Sequence, residues 1–180
     1  MKKKTMVRIL AIDPYSRGVG FAAIEGEGRA VSLIDWGLRT TGKADNRRSA
    51  RAIETLISRF RPDILALENW GAPGFRRCHR VDLLLNGIAS SHDRRLRVRL
   101  VSQRQVCAIG PLPHTSTKYG RARFVADRFP ELEPFLPPVR KLWMPEDSRM
   151  SIFDAASFGL ACFPAENPGA DRPKQTPNSA

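Results

Sequence analysis

The sequence predicts an α/β fold: a mixed five-stranded sheet, three antiparallel strands followed by strands alternating with helices, with helices on both faces. Three observations lead there. The first forty residues hold three β-rich apolar runs joined by short turns. A parallel crossover needs a dozen residues or so, so these three pair antiparallel. From about residue 50 the apolar period changes from that of strands to that of helices, and from there strand-like and helix-like segments alternate. The predicted order is β-β-β-α-β-α-β-α-α-α, with no internal repeat.

Residues 6–12 form the first run, closed by Asp13-Pro14, a turn signal. Gly18 to Ile24 reads as the second strand, ended by Glu25-Gly26-Glu27-Gly28, and Ala30 to Trp36 as the third. Ile53, Leu56, Ile57 and Phe60 recur at i, i+3, i+4 and i+7, one stripe of an amphipathic helix that Pro62 ends. Asp63 to Leu67 is a compact strand running into Glu68. Val81, Leu84, Leu85 and Ile88 make a second helical stripe. Leu96 to Val101 alternates apolar residues with Arg, a half-buried strand with a basic outer face. Helices follow at 103–109 and 118–129, then a Pro-rich link from Pro134 to Pro138 and a last helix from about Glu146 to Phe163. One domain over 1–163 results. Residues 164–180, nearly without apolar side chains, read as a disordered tail.

The charge then narrows the partners. Across 180 residues, 30 Lys+Arg face 18 Asp+Glu, a net +12, and 23 of the basic residues are Arg. A hydrophobic fraction of 42% is enough for a core and excludes a wholly disordered chain. An Arg-rich excess favours a phosphate polyanion, because the guanidinium fork meets two phosphate oxygens at once. The alternative is a well-solvated basic surface with no ligand. No apolar run has the roughly 20 residues of a membrane span, and the first residues show no cleavage signature. The three cysteines, Cys78, Cys107 and Cys162, argue against a disulfide framework and for a reducing, cytoplasmic setting. His79, His92 and His114 share no metal-ligand spacing.

Three acids stand out by position. Asp13 closes the first strand, Glu68 closes the fourth, and Asp154 lies in the apolar stretch IlePheAspAlaAlaSerPheGlyLeuAlaCysPhe. If the first and fourth strands are neighbours, the two strand-end acids lie together and a helix crossing that end adds the third. Carboxylates that close need a cation between them, and an all-oxygen set describes Mg²⁺ or Mn²⁺ and not zinc. Each acid also has a structural reading: Asp13 as a turn residue, Glu68 as a strand cap, Asp154 as the partner of an arginine.

The segment Ile9-Leu10-Ala11-Ile12-Asp13-Pro14-Tyr15-Ser16-Arg17-Gly18-Val19-Gly20-Phe21 resembles the first strand and turn of RuvC-type Holliday junction resolvases, within the ribonuclease H-like nuclease superfamily. Ala66-Leu67-Glu68-Asn69-Trp70 resembles the family's second acidic strand end, and Asp154-Ala155-Ala156-Ser157 its closing helix, where Asp-Ala-Ala-Asp is usual. Arg104-Gln105-Val106 and Thr117-Lys118 fall between them in the family's order. The resemblance covers residues 7–163. It implies a ribonuclease H-like domain with Asp13, Glu68 and Asp154 as metal-binding catalytic carboxylates and Lys118 as the basic residue at the scissile phosphate. It implies two Mg²⁺ per site, with Mn²⁺ able to substitute, and a homodimer cutting branched double-stranded DNA by paired nicks. A dimer contact is expected along Val81 to Ile88.

The same resemblance puts an aromatic in the loop after Glu68, where Trp70 and Phe75 would stack on an unpaired base and Arg76, Arg77 and Arg80 would track phosphates. Arg121 and Arg123 extend that DNA-binding border. Two departures matter. Ser157 replaces the family's fourth acid, which leaves Asp147, two helical turns before Asp154, as a substitute metal ligand if the helix already runs there, with Glu146 turned about 100° away. Cys107 occupies the family's other basic position and reads as a structural thiol. Three alternatives stand beside the resolvase: a related nuclease or transposase-like protein acting on other branched or phage DNA, a non-catalytic junction binder, and an actin-like ATPase or sugar-kinase fragment built around AspProTyrSerArgGlyValGly.

Overall fold

The computed structural model describes residues 6–42, 45–69, 79–91, 96–141 and 143–164. Five strands, β1 (Val7–Tyr15), β2 (Gly18–Glu27), β3 (Ala30–Thr40), β4 (Ile64–Glu68) and β5 (Arg97–Val101), form one sheet in the order β3-β2-β1-β4-β5. β1–β2 and β2–β3 pair antiparallel, β1–β4 and β4–β5 parallel. The predicted mixed sheet and its order of elements hold. The hairpins run longer than the residue types suggested. β1 continues through Pro14, opposite Val19, and the turn falls at Ser16-Arg17. Pro14 is tolerated because pairing of β1 with β4 ends at Ile12–Leu67, so beyond that point the strand is an edge on that side. β2 continues through Gly26 because a side chain there would meet the Ala30 carbonyl of its partner strand; the turn waits for Gly28, at φ +58°.

Helix α1 (Asn46–Phe60) starts where the Asp45 carboxylate accepts the Arg47 and Arg48 amides, and stops at Arg61, whose left-handed backbone donates to the Ile57 carbonyl ahead of Pro62. Together with α2 (His79–Ser91) it covers one face of the sheet. Ile53, Leu56, Phe60, Val81, Leu84, Leu85 and Ile88 pack there on Leu10, Ile12, Leu65 and Leu67. The apolar stripe of α2, expected to hold a second copy, is therefore spent on this chain's own core; among its large apolar side chains Leu83 alone is exposed. The opposite face carries α3 (Gln103–Cys107), α4 (Lys118–Arg128) and α5 (Met150–Leu160) over Ile9, Ala11, Ala22, Ile24 and Ala66.

Strand alternation sorts the sheet between these layers. In β1 the even residues face α1 and α2, and the odd residues, Asp13 among them, face α5. β5 departs from its expected basic outer face. Arg99 lies level with Ala66, on the α5 side, and its guanidinium donates to the Cys162 carbonyl just beyond α5 (3.0 Å), while Leu100 is exposed. Of the expected tail, 164–180, Pro164 is described and residues 165–180 lie outside the described residues. Among those described, no helix is long and apolar enough to cross a membrane.

Candidate active site

Asp13 and Glu68 are placed by register. Ile12 pairs with Leu67, so the next residue of each parallel strand stands side by side at the carboxyl ends, and alternation turns both toward α5. Helix α5 crosses β1 and β2 with its first turn over that end. The Ser151 hydroxyl lies 2.5 Å from Asp13 Oδ2 and 2.7 Å from the Asp13 carbonyl, fixing the carboxylate in a nearly closed position, 5% exposed. Asp154 follows one turn later on the same helical face, 9% exposed. Lys118, first residue of α4 and positioned by the Thr117 cap, reaches across to Asp154 Oδ2 at 2.7 Å and also pairs with Glu146 Oε1. Asp13, Tyr15, Arg17, Lys118, Asp147 and Asp154 share the walls of a cleft of about 580 Å³ that also takes in Glu146 and Ser151.

The electrostatics of this cleft are uneven. Burial, the nearby Asp13 charge and Glu146 push the Asp154 carboxyl up to about 7, against the pull of Lys118. Burial works to lower the Lys118 ammonium, but Asp154 and Glu146 outweigh it and the net shift is upward. Lys118 is thus a fixed cation bridging two carboxylates. The donor set fits a hard divalent cation, since it offers carboxylate oxygens and neither nitrogen nor thiolate ligands. Among the described residues no three acidic, His or Cys side chains are already gathered into a finished cage. Asp13 and Asp154 face one cleft, while Glu68 stands beside Asp13 and outside that cleft's lining.

Close approach of α5 depends on Gly20, opposite Asp13 in β2. A Cβ there would stand 2.5 Å from the Ser151 backbone, a contact that must be relieved by moving α5 itself. Gly20→Ala is expected to lower stability by about 1–3 kcal/mol in urea unfolding; an unchanged midpoint would show that α5 docks with slack.

No family profile matches the chain. A curated relative, the crossover junction endodeoxyribonuclease RuvC of Geotalea uraniireducens (strain Rf4), is 37% identical over 68 residues, covering 35% of this chain and 40% of that protein. The match thus spans about two fifths of that relative's length. The Thermus thermophilus RuvC structure superposes with a TM-score of 0.58 at 19% identity, covering 87% of this chain and 92% of that one. The Fowlpox virus resolvase in complex with substrate Holliday junction DNA gives a TM-score of 0.52 at 13% identity, covering 86% of this chain and 97% of that one.

The fold is that of the RuvC-type resolvases. The Asp13-Pro14-Tyr15-Ser16-Arg17-Gly18 segment forms the first hairpin of the sheet.

On this resolvase fold several expected residues move. Asp147 does not continue α5, which begins at Met150; it lies in the preceding loop and is clamped by Arg149, Nη2 to Oδ2 2.7 Å and Nε to Oδ1 3.1 Å, which holds its carboxyl below the usual range. With no helix there the 100° argument also fails, and Glu146, expected to turn away, is the acid that meets Lys118. Ser157 is buried, and its hydroxyl donates to the Phe153 carbonyl (2.8 Å), a bond within the helix. Arg121, expected on the DNA-binding border, is 7% exposed and turned inward: its Nη1 faces the Thr115 and Ser116 carbonyls at 3.4 and 3.3 Å and Cys107 Sγ at 3.8 Å, tying down the loop before α4. Cys107 is accordingly half-buried against an arginine. Arg123 stays on the surface, paired with Asp127 (3.1 Å) and Glu133 (2.9 Å), so its charge is already balanced. Trp70, Phe75, Arg76 and Arg77, and the side chain of Arg80, lie outside the described residues.

Sequence reasoning missed Ser151, Glu146 and Arg17. Ser151 precedes Asp154 by three, a spacing that puts both on one helical face, so this one was there to be found. Glu146 reaches the site through an irregular loop, which leaves no periodic signal.

Proposed function

We propose that this protein is a metal-dependent endonuclease that cuts branched double-stranded DNA, four-way junctions in particular, by hydrolysing a phosphodiester in each of two opposed strands. The observation that carries the reading is the joint placement of Asp13 and Asp154 in one cleft with Lys118 bound to Asp154, on a fold shared with proteins described as Holliday junction resolvases. Asp13 and Asp154, joined by Glu68 from the neighbouring strand end, would hold Mg²⁺ or Mn²⁺, two ions in the family's manner. When bound, the metal supplies charge stabilisation and an activated water.

The chain's own groups do the rest. Ser151 holds the Asp13 carboxylate in one orientation, so a ligand atom is presented without reordering. Lys118 keeps a positive charge beside the cleft, where a scissile phosphate gathers negative charge in the transition state. Arg17, exposed at the hairpin tip on the cleft wall, would meet the phosphate next along the strand. Trp70, Phe75, Arg76, Arg77 and Arg80 remain the proposed base and phosphate contacts of the following loop. Symmetric nicking calls for a homodimer, which leaves the outer surface of α1 and α2 as the contact in place of the buried stripe.

Purified protein is expected to nick a synthetic four-way junction in Mg²⁺ or Mn²⁺ and to bind without nicking in EDTA, with binding weakening steeply as salt rises. Tight junction binding with no cleavage in either metal would favour the non-catalytic reading, which the inward-bonded Ser157 hydroxyl makes worth testing. Cleavage of flaps or single strands in preference to four-way junctions would favour the broader nuclease.

A further inference from the structure

Beside the catalytic cleft lies a second hollow of about 350 Å³, lined by Tyr119, Pro137, Pro138, Met144 and Met150 with Arg140 at its edge. That volume is within the range of ligand clefts, about 300–1,000 Å³. The two share a wall: Lys118, Pro145, Glu146 and Asp147 line both. The outer wall comes from the irregular strap formed by residues 136–141 and 143–149. Next to Met144 on that strap stands Trp143, 79% exposed, with the Lys141 ammonium 5.5 Å from its ring centroid. Val139 is 64% exposed on the same strap.

Val139, Trp143 and Met144 leave three large apolar side chains exposed close together in sequence, and an exposed apolar cluster with a polar rim marks an interaction site. Charge says with what. From Pro134 to Pro145 there is no acid, while Arg140 and Lys141 flank the aromatic. The two acids that follow are already matched, Glu146 by Lys118 and Asp147 by Arg149. An apolar floor, a projecting indole and two cations with no acid partner among the described residues, Arg140 Nε donating to the Met144 carbonyl (2.7 Å), suit a nucleobase with its backbone beside a phosphate-cutting cleft.

We propose that the 136–149 strap is a second DNA-binding element, in which Trp143 stacks on an unpaired base of the strand leaving the cleft and Arg140 and Lys141 hold its phosphate. This rests on the nuclease reading for the strand's position, but stacking itself is testable without it.

The test uses the full chain in EDTA with two probes, a four-way junction and a single-stranded oligonucleotide carrying 2-aminopurine. Trp143→Ala is expected to weaken both by roughly 5- to 100-fold, the range of one lost base stack, and to abolish the quenching of 2-aminopurine. Trp143→Phe should restore part of each, as a stacking role demands. The side chain is exposed, so folding is not at stake. Unchanged affinity and quenching in Trp143→Ala overturn the proposal and leave the strap as a surface for a protein partner. If the wild type ignores the junction yet binds the single strand through Trp143, the stack stands and the junction reading falls. Failure of the wild type to bind either probe removes both.

Discussion

Asp154→Asn is expected to lose cleavage by at least about 10³-fold and, in the absence of metal, to be more stable than the wild type at pH 8. The two effects have one cause. Burial and the Asp13 charge raise the Asp154 carboxyl to about 7, while in the unfolded chain it ionises near the ordinary value of 3.8. Between those values the folded protein holds a proton that the unfolded chain has released, so metal-free stability falls as pH rises from about 4 to about 7 and is flat above. Asn cannot ionise and removes that slope. The gain at pH 8 is on the order of 2–4 kcal/mol, from a shift of about three units at ~1.4 kcal/mol each. For a domain of this size that corresponds to roughly 5–15 °C in melting temperature. Melting curves in EDTA at pH 5 and pH 8 read the effect directly. Asp13→Asn should lose cleavage equally, yet it also loses the charged acceptor of Ser151, so its melting behaviour distinguishes the two acids. A wild type whose stability rises from pH 5 to pH 8, with Asp154→Asn following it, would show that Asp154 ionises alike in the folded and unfolded chain and is not the source of the slope.

Much of this was legible in the sequence, and the reason is specific. Periodicity reports burial, and the sheet and its helices are built from burial: the stripe Ile53, Leu56, Phe60 and the stripe Val81, Leu84, Leu85, Ile88 both pack where their period says. Asp13, Glu68 and Asp154 were visible because each is an acid set against an apolar run. Side chains whose position depends on an irregular segment were not. The 136–149 strap carries no period, so the start of α5 was placed too early and Asp147 and Glu146 exchanged roles. Arg121 looked like one more cation of a basic chain; only the tertiary structure shows it turned inward onto the Thr115 and Ser116 carbonyls. Charge composition names a partner class and cannot say which arginines are spent on the fold.

Lys118 gives the second large effect, and its sign separates two possible roles. A lysine acting as a general base would need a depressed pKa, whereas here Asp154 and Glu146 overcome burial and raise it. A cation whose folded pKa lies above its unfolded value loses its contribution only as pH rises through the folded value, well outside the neutral range. Lys118 therefore stays charged across the neutral range, and on the proposed reading it would serve as a fixed counter-charge to the scissile phosphate. Lys118→Met is expected to lower the single-turnover rate at saturating junction by about 10²–10³-fold, the scale of one lost transition-state donor. It also leaves Asp154 and Glu146 facing one another without a cation between them, so the pH-dependent loss of metal-free stability should steepen relative to wild type. Lys118→Arg keeps the charge but exchanges a compact ammonium for a planar fork, and should recover the stability more fully than the rate. A rate within threefold of wild type in Lys118→Met, with the stability change present, would make Lys118 a structural counter-ion of Asp154 and place the phosphate's positive partner elsewhere, with Arg17, which lines the same cleft, the next to substitute.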